Sequence, residues 1–512
     1  MSGHREPKNR WARQVALGLL VILIGAAAYP YGAVELWATE WLRFAAMLCA
    51  GLVVWSRSPR HLFSPPAGWL ALCALALVLW AGLQVAPLPT FLVRFLSPEV
   101  AAIQKDTAVP GGGEALPSWL LARARAEGMR LVGGAAAPPG PRDGGDPTAG
   151  HTLSLYPFAT RRAALAWVTP ILLFLAAASV ARDPICRYRL LWGVAGWSGL
   201  CGLAATLQGV GWNGSPLWIP QEQSDLVAML PFVNRNHLAG FLEMGIFVAV
   251  GLALAVLSRP TGTLSRSGIR RALTDRGWAA PRLIALGVLV TLSLAGLLVS
   301  RSRGGALAFA FGAILLACAK ILRRRVWVPV AAIALLGVGV GVVGLIGPAQ
   351  AGMETGSFSS KAGEASTVVR LDLWAKTLRM FLDHPVAGTG LGTFQWAFAS
   401  YQREGEWGKL DYAHNDYLQL LSETGLVGGV LLVAALVTLL GRILIPALSG
   451  LERRKRWTTV GVAASVSAIL AHSVVDGNLQ IPANASLFAI LLGVLSAAAR
   501  DEEKNAAPGA GK

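Results

Sequence analysis

Long apolar segments recur along the whole chain, separated by polar or basic connections. Each holds about 20 residues, the length of a helix that crosses the hydrocarbon core of a bilayer. Helices are expected rather than strands, because backbone polar groups in lipid must be satisfied within the segment and the apolar residues do not alternate with polar ones. The pattern predicts twelve transmembrane helices, at residues 14–34, 39–56, 68–87, 161–181, 189–210, 237–257, 282–300, 304–320, 327–347, 424–445, 457–475 and 483–499.

Two longer polar segments interrupt the helices and set the predicted organisation, an all-α integral membrane protein with about 12 transmembrane helices and two large loops. Within the first loop, the stretch SWLLARARAEGMRLV predicts an amphipathic helix on the membrane surface. The predicted parts are three helices (1–87), a Gly/Pro-rich first loop (88–160), six helices (161–347), a large second loop (348–423), and three helices with a C-terminal tail (424–512).

Composition agrees with this pattern. The 512 residues are 54% apolar and 14% charged, whereas soluble domains carry about 25% charged residues. With a mean hydropathy of +0.53, a water-soluble enzyme, a coiled coil and a disordered chain are excluded. The five cysteines form no paired motif, so no metal or redox site is expected.

The net charge of +17 would suggest nucleic acid on a soluble protein, but its distribution indicates a membrane topology instead. Basic residues concentrate in the amino terminus and in connections such as RSGIRRALTDR, ILRRRV and LERRKRW. Lys and Arg favour the cytoplasmic side, where they meet anionic lipid. We therefore expect membrane lipid and not nucleic acid as a partner, an N-terminal signal anchor, cytoplasmic termini and two large outer loops.

Candidate chemistry gathers on the outer side. Arg301 and Arg303 lie in VSRSRGGALAF, where two helices are joined by almost no loop. Guanidinium groups held there favour phosphate, since they stay charged and bind oxygens in pairs. The alternative is a pair of interfacial arginines reaching to lipid headgroups. Arg370 lies in a helix-like stretch of the second loop, with Arg379 nine residues later, and either could be an ordinary surface charge.

The stretch AHNDYLQLLSETG holds the candidate proton carrier. His414 can exchange a proton near neutral pH at the aqueous edge of a membrane site, and Asp411 or Asp416 could orient it. Asn415 follows directly, and Glu423 closes the segment before the next apolar run. The competing interpretation is a loop histidine that caps a helix.

Helix six begins in PFVNRNHLAGFLEMG, with Arg235 and Asn236 at its mouth. Glu243 lies two turns deeper, and an acidic group inside a membrane is a functional candidate. Its alternative role is a structural ion pair with Arg235 or His237. The later stretch HSVVDGNLQIPANA adds polar residues on the same outer side.

The GTGLGTF stretch after His384 and Pro385 is interpreted as a tight turn rather than a phosphate-binding loop, because no strand precedes it. The sequence has no P-loop, no HExxH zinc motif and no GxSxG nucleophile motif. With no nucleotide available on the outer side, an enzyme there needs a pre-activated substrate.

Taken as an ordered set, FVNRNHLAGFLEM, SRSRGGALAF, VRLDLWAKTLRMFLDHPVAGTGLGTF and YAHNDYLQLLSETGLVGG resemble the bacterial O-antigen ligase family. SLYPFATRRAAL and HSVVDGNLQIPANA add to the resemblance, which covers roughly residues 150–490. The superfamily also contains O-antigen and exopolysaccharide polymerases and O-oligosaccharyltransferases.

The resemblance implies a glycosyltransferase of the bacterial inner membrane that needs no cofactor or metal. Its glycan would come from undecaprenyl diphosphate in the outer leaflet. The acceptor would be a hydroxyl of lipid A–core in a ligase, of another repeat unit in a polymerase, or of a protein in an oligosaccharyltransferase. Polysaccharide assembly proteins are possible further partners.

The family's site pattern, two outer arginines and a loop histidine, carries over to Arg303, Arg370 and His414, with Arg301 competing for the first role. The arginines would bind the diphosphate and stabilise charge on the leaving group, and His414 would be the general base. The remaining substrate-binding candidates are Arg301, Arg235, Asn236, Asn415, Asp416 and Glu423.

Two rivals come from other classes. A flippase for lipid-linked glycans would have polar residues along both halves of the membrane, whereas here the polar set is one-sided. A receptor or scaffold would use the outer loops for binding alone. Ligase and polymerase share the motifs, so the ligase leads only by the family resemblance.

Overall fold

The computed structural model describes residues 6–56, 66–107, 151–210, 231–258, 265–275, 277–318, 367–402, 410–449 and 456–506. This part of the chain is helical and contains two isolated β-bridges but no strand, so the all-α prediction is confirmed. In chain order the α-helices are α1 (Glu6–Ala28), α2 (Leu36–Ser56), α3 (Ala67–Gln84), α4 (Thr90–Leu96), α5 (Pro98–Thr107), α6 (Pro157–Val180), α7 (Pro184–Gly209), α8 (Arg235–Ser258), α9 (Arg266–Thr274), α10 (Ala279–Ser300), α11 (Arg303–Cys318), α12 (Thr367–Asp383), α13 (Phe394–Ala397), α14 (Asp416–Thr438), α15 (Ile445–Ser449), α16 (Arg456–His472) and α17 (Pro482–Ala506).

Nine helices in the described ranges are long and apolar enough to cross a membrane, and α11 and α16 are shorter apolar helices. Together they coincide with eleven of the twelve predicted segments. The ninth predicted helix, 327–347, lies outside the described residues, as do most of the first loop, its predicted amphipathic helix, and parts of the second loop. The protein is a multi-pass membrane protein.

The chain divides into two compact units. The larger unit comprises Met1–Ala74, Ala166–Gly356 and Ala434–Lys512, and the smaller unit comprises Leu75–Leu165 and Ser357–Val433. Three long helices, α3, α6 and α14, each pass from one unit into the other along the chain.

Helix α8 is the centre of the larger unit. Every residue from Asn236 to Ala249 is buried, so this helix is enclosed on all sides by its neighbours. It packs against α7, α10 and α16. Gly251 faces Gly461 of α16 with no room for a Cβ on either residue. Small residues of this kind let membrane helices approach closely, which increases their van der Waals contact.

The smaller unit has its own apolar core. Leu373 and Met380 of α12 pack against Phe394 and Phe398, which follow the Gly-rich turn, and Ala413 completes the cluster. Leu373 and Met380 lie seven residues apart, two helical turns, and so share one face of α12. The core therefore joins α12 to the segment that leads into α14.

Helix α14 is broken at Gly425, where φ is 64° and ψ is −161°. The Leu426 amide after the break donates to Pro385 O at 2.8 Å, so the backbone is satisfied by the Gly-rich segment instead of by the helix itself. The predicted helix at 424–445 matches only the portion after the break. The two turns from Asp416 to Glu423 were missed because their buried face is polar and gives no hydropathy signal.

Candidate active site

The connection between α10 and α11 is a tight turn of two residues, Arg301 and Ser302. Together with the first two residues of α11 it forms the segment Arg301–Gly304, here called the arginine turn. Arg301 has a φ of 50°, in the left-handed region, and its amide donates to Leu298 O at 3.1 Å. Ser302 is buried, and its Oγ accepts from the Gly305 amide at 3.1 Å, capping α11. The turn closes in so few residues because a left-handed residue and a capping residue follow each other directly.

Both arginines of this turn are exposed, on either side of the buried Ser302. Arg303 is also the first residue of α11, where free amide groups and the helix dipole favour an anion. The predicted proximity of Arg301 and Arg303 at a helix junction is confirmed. Two guanidinium groups at a helix start can bind a phosphate-type anion.

Two pairs of ionisable side chains are buried in the larger unit. His472 Nδ1 lies 3.3 Å from Glu243 Oε1, and His237 Nε2 lies 3.9 Å from Asp476 Oδ1. The expectation that Glu243 pairs with Arg235 or His237 is corrected here, since its carboxylate contacts His472, 229 residues away in the sequence. The choice depends on how α8 and α16 pack, which no local pattern reveals.

At the start of α8, Arg235 is half-buried and Asn236 is 8% exposed. The Asn234 side chain accepts from the Asn236 amide at 2.8 Å, so this helix begins with an Asx turn. Asn484 donates to His237 O at 2.9 Å and to Asn478 Oδ1 at 3.1 Å. The polar residues of HSVVDGNLQIPANA thus help to hold the start of α8.

In the smaller unit, the residues before α14 form the histidine turn, Ala413–Asp416. His414 is half-buried and has a φ of 48°. Asn415 Oδ1 accepts from the amides of Tyr417 and Leu418 at 3.1 and 3.0 Å, capping α14. Asn415 therefore caps α14 through its own side chain.

Trp374 connects α12 to the histidine turn by side-chain hydrogen bonds. Its indole Nε1 donates to Ala413 O at 3.1 Å and to His414 O at 3.3 Å. Arg370 lies four residues earlier, so it is on the same face of α12 as Trp374. The structure thus brings Arg370 to the helix face that contacts the histidine turn, whereas Arg379 lies on the opposite face.

The carboxylate of Glu423 is 2% exposed and binds the backbone of the segment 388–394, here called the glycine loop. Oε2 accepts from the Gly392 amide at 2.7 Å, and Oε1 accepts from the Phe394 amide at 3.1 Å. Gly388, Gly390 and Gly392 all have positive φ values. The interpretation of GTGLGTF as a tight turn is therefore confirmed, and its amides receive a carboxylate of the same chain.

Sequence reasoning did not single out Gln419 as a site residue. Its Oε1 accepts from the Ala413 amide at 3.0 Å, and its Nε2 donates to Glu423 Oε1 at 3.2 Å. Gln419 thereby links the histidine turn to the carboxylate that holds the glycine loop. The only sequence signal was its spacing, four residues after Asn415 and four before Glu423, which places all three on one helix face.

Two further groups in the smaller unit have altered acidity. Burial raises the pKa of Tyr412 to about 12, and neighbouring Asp411 and Asp416 act in the same direction. Burial lowers the pKa of His384, against the opposing effect of Asp383. Sequence reasoning used His384 only as a helix end, because burial is not visible in a single histidine. Because its pKa is raised to about 12, Tyr412 is protonated at neutral pH; it lies two residues before His414 in the sequence.

No group of three or more His, Cys, Asp or Glu side chains in the described ranges is arranged to hold a metal ion. The candidate residues fall into two sets. Arg235, Asn236, Arg301 and Arg303 lie in the larger unit, while Arg370, His414, Asn415, Asp416 and Glu423 lie in the smaller unit.

Residues 288–433 match the family model described as O-antigen ligase. The match includes the arginine turn, Arg370, the histidine turn and Glu423, and it lies within the stretch on which the resemblance rests. No curated protein matches the chain. The family match supports a membrane glycosyltransferase of the O-antigen ligase and polymerase type. The chain carries the domain of the O-antigen ligase family.

Proposed function

We propose that the protein is a ligase that transfers a glycan from undecaprenyl diphosphate to an acceptor hydroxyl on the periplasmic face of the bacterial inner membrane. One observation carries the proposal most directly. The segment that matches the family contains two exposed arginines and a histidine, each placed at a turn fixed by buried hydrogen bonds.

In this mechanism Arg303 binds the diphosphate, with Arg301 as its neighbour. Arg370 stabilises the negative charge that develops on the leaving group. Fixed cations suit this role, because the bond to the diphosphate breaks with its electrons moving onto phosphate oxygen. Neither a metal ion nor a nucleotide takes part in the proposed reaction.

His414 is the proposed general base. Its imidazole takes the proton from the acceptor hydroxyl as the new C–O bond forms at the anomeric carbon, and undecaprenyl diphosphate leaves from the opposite side. Displacement in one step inverts the anomeric configuration. Asn415, Asp416 and Glu423 hold the histidine or the sugar in place. Arg235 and Asn236 are proposed to contact the substrate.

The proposed topology follows the distribution of basic residues. Both termini lie in the cytoplasm, and the segments 88–160 and 348–423 lie in the periplasm. Lipid A–core is the acceptor in the leading proposal. A polymerase that joins repeat units is the second candidate, because the matched domain is shared by both activities. A flippase is the third, and polysaccharide assembly proteins are proposed as partners.

A gene deletion distinguishes these activities. Surface glycans are separated on a gel before and after complementation with the wild type, with His414→Ala and with His151→Ala, a histidine of the smaller unit outside the turn. Loss of long glycan from lipid A–core, with accumulation on the lipid carrier, supports the ligase. Single repeats on the acceptor, or loss of a secreted polymer, support the polymerase.

The controls decide the remaining outcomes. We expect His151→Ala to restore the glycans and His414→Ala not to restore them. Restoration by both variants would remove His414 from the mechanism. Glycans that stay normal after deletion would contradict the transferase, and a carrier-linked glycan retained on the cytoplasmic side would favour the flippase.

A further inference from the structure

Two ionisable residues are fully enclosed in the larger unit behind the arginine turn. Glu243 is 0% exposed and His472 is 1% exposed. Their side chains contact each other at 3.3 Å, from Glu243 Oε1 to His472 Nδ1. Glu243 lies eight residues into α8, about 12 Å along the helix at 1.5 Å per residue. Ionisable residues at such depth are costly in a membrane protein and are usually functional.

The other edge of the His472 ring faces the start of α11. A Cβ added to Gly304 would lie 2.9 Å from His472 Nε2, 3.0 Å from Val475 Cγ2 and 3.1 Å from His472 Cδ2, closer than side chains pack. Glycine is therefore the only residue type that fits at position 304 without displacing a neighbouring side chain. Gly304 directly follows Arg303, so a continuous set of contacts leads from Glu243 through His472 to the arginine turn.

The arginine turn depends on support of this kind. Arg301 holds a left-handed backbone conformation without being glycine, and such residues persist only where their surroundings fix them. The imidazole and the Val475 side chain fill the space next to Gly304. The hydrogen bond to Glu243 fixes the rotation of the ring, so that its flat edge meets Gly304.

We propose that the Glu243–His472 pair is a buried support that sets the position of Arg303 for binding a polyprenyl diphosphate. Glu243, His472 and Gly304 are positioning residues, and this inference rests on the proposed function. The ligand chemistry is that of an isoprenoid diphosphate. The support acts through packing and through one side-chain hydrogen bond.

A steric test uses the purified protein in detergent with farnesyl diphosphate as the probe and its Kd as the readout. Gly304→Ala drives a methyl group into the ring, and we expect the Kd to rise about tenfold, since small displacements of binding groups are costly. His472→Ala removes the ring. In the double variant Gly304→Ala/His472→Ala the ring is gone, and only Val475 Cγ2, 3.0 Å from the added Cβ, still has to shift. The Kd should therefore recover toward that of His472→Ala.

Gly305→Ala is the matched control. It adds a methyl group in the same helical turn, but its Cβ would lie 2.6 Å from Ala239 Cβ instead of near the ring. His472→Ala should therefore not improve Gly305→Ala. Recovery in both double variants, or in neither, would overturn the proposed contact. Melting temperatures of all variants separate loss of folding from loss of binding.

The hydrogen bond is tested at Glu243. Glu243→Gln keeps an oxygen that accepts from His472 Nδ1–H, whereas Glu243→Leu has the size without the acceptor. We expect Glu243→Gln to bind farnesyl diphosphate within about twofold of the wild type, and Glu243→Leu to bind clearly more weakly at a comparable melting temperature. Equal Kd values for the two variants would remove the hydrogen bond from the support.

Arg303→Gln separates this inference from the proposed function. If Arg303→Gln binds the probe as tightly as the wild type, the role of Arg303 itself fails. If Arg303→Gln weakens binding while Gly304→Ala does not, the proposed function stands and the buried support is wrong.

Discussion

The arginine turn and the histidine turn are built alike but supported differently. In each, a non-glycine residue in the left-handed region, Arg301 or His414, directly precedes a side chain that caps the next helix, Ser302 or Asn415. Both candidate side chains thus lie at the start of a helix, next to a capped helix end. Two different stretches of sequence thus form the same local arrangement of a left-handed residue followed by a helix cap.

The difference lies in what holds each turn. The histidine turn is tied by Gln419, from its own helix, and by Trp374, 40 residues away. The arginine turn packs at Gly304 against His472, on a helix far away in the sequence, and His472 in turn contacts Glu243. A turn supported by its own helix moves with that helix. We expect the position of a turn that contacts a distant pair of residues to depend on how the helices of its unit pack.

The largest expected effect separates chemistry from binding. We expect His414→Ala to lower kcat by about 10²–10⁴-fold, the usual contribution of a general base, while the melting temperature stays within a few degrees. A kinetic assay with a lipid-linked glycan donor measures this. The control His151→Ala should keep the wild-type kcat. A His414→Ala enzyme with wild-type kcat would end the proposed division of roles between the turns.

The next effect tests the support of the histidine turn. Glu423→Ala leaves the partly buried Gly392 amide and the buried Phe394 amide without their acceptor, which should cost about 2–4 kcal/mol of unfolding free energy. Glu423→Gln retains one acceptor oxygen and should cost less. Thermal unfolding in detergent gives the order of stability of the wild type, Glu423→Gln and Glu423→Ala. Equal melting temperatures for the wild type and Glu423→Ala would show that the glycine loop is held by other contacts.

The two caps allow a direct comparison of the turns. Cap removal typically costs about 1 kcal/mol. Asn415 accepts from two amides and Ser302 from one, so Asn415→Ala should lower the melting temperature more than Ser302→Ala. Asn415→Asp and Ser302→Thr, which keep an acceptor, serve as matched controls. The reverse order would show that the arginine turn relies more on its local cap.

The smallest expected effect is a pH dependence in the smaller unit. Burial lowers the pKa of His384 in the folded protein, so the unfolded chain binds its proton first as the pH falls. Stability contributed by neutral His384 is therefore complete above the unfolded pKa of about 6.5 and is lost below it.

Melting temperatures between pH 8 and pH 5 check this expectation, with pH values chosen about 1.5 units either side of the unfolded pKa. His384→Gln should lose less stability on acidification than the wild type. Asp383 and Glu99 oppose the shift, so Glu99→Gln should steepen the wild-type loss. Parallel curves for the wild type and His384→Gln would exclude this histidine as the cause.

The sequence by itself determined the class of the protein. Apolar runs of membrane-spanning length follow from the energetics of placing a helix in lipid, and they located eleven of the described helices. The motifs pointed to the family whose model matches residues 288–433. These properties are local, because hydropathy and motif spacing act within about one helix.

Only the tertiary structure determines which polar groups of the chain contact each other. Glu243 contacts His472 rather than Arg235, and the Glu423 carboxylate accepts from the Gly392 and Phe394 amides of the glycine loop. The break at Gly425 likewise exists because a distant segment supplies Pro385 O to the Leu426 amide. Such choices depend on which segments meet when helices pack, and a buried polar group takes the partner that packing brings to it.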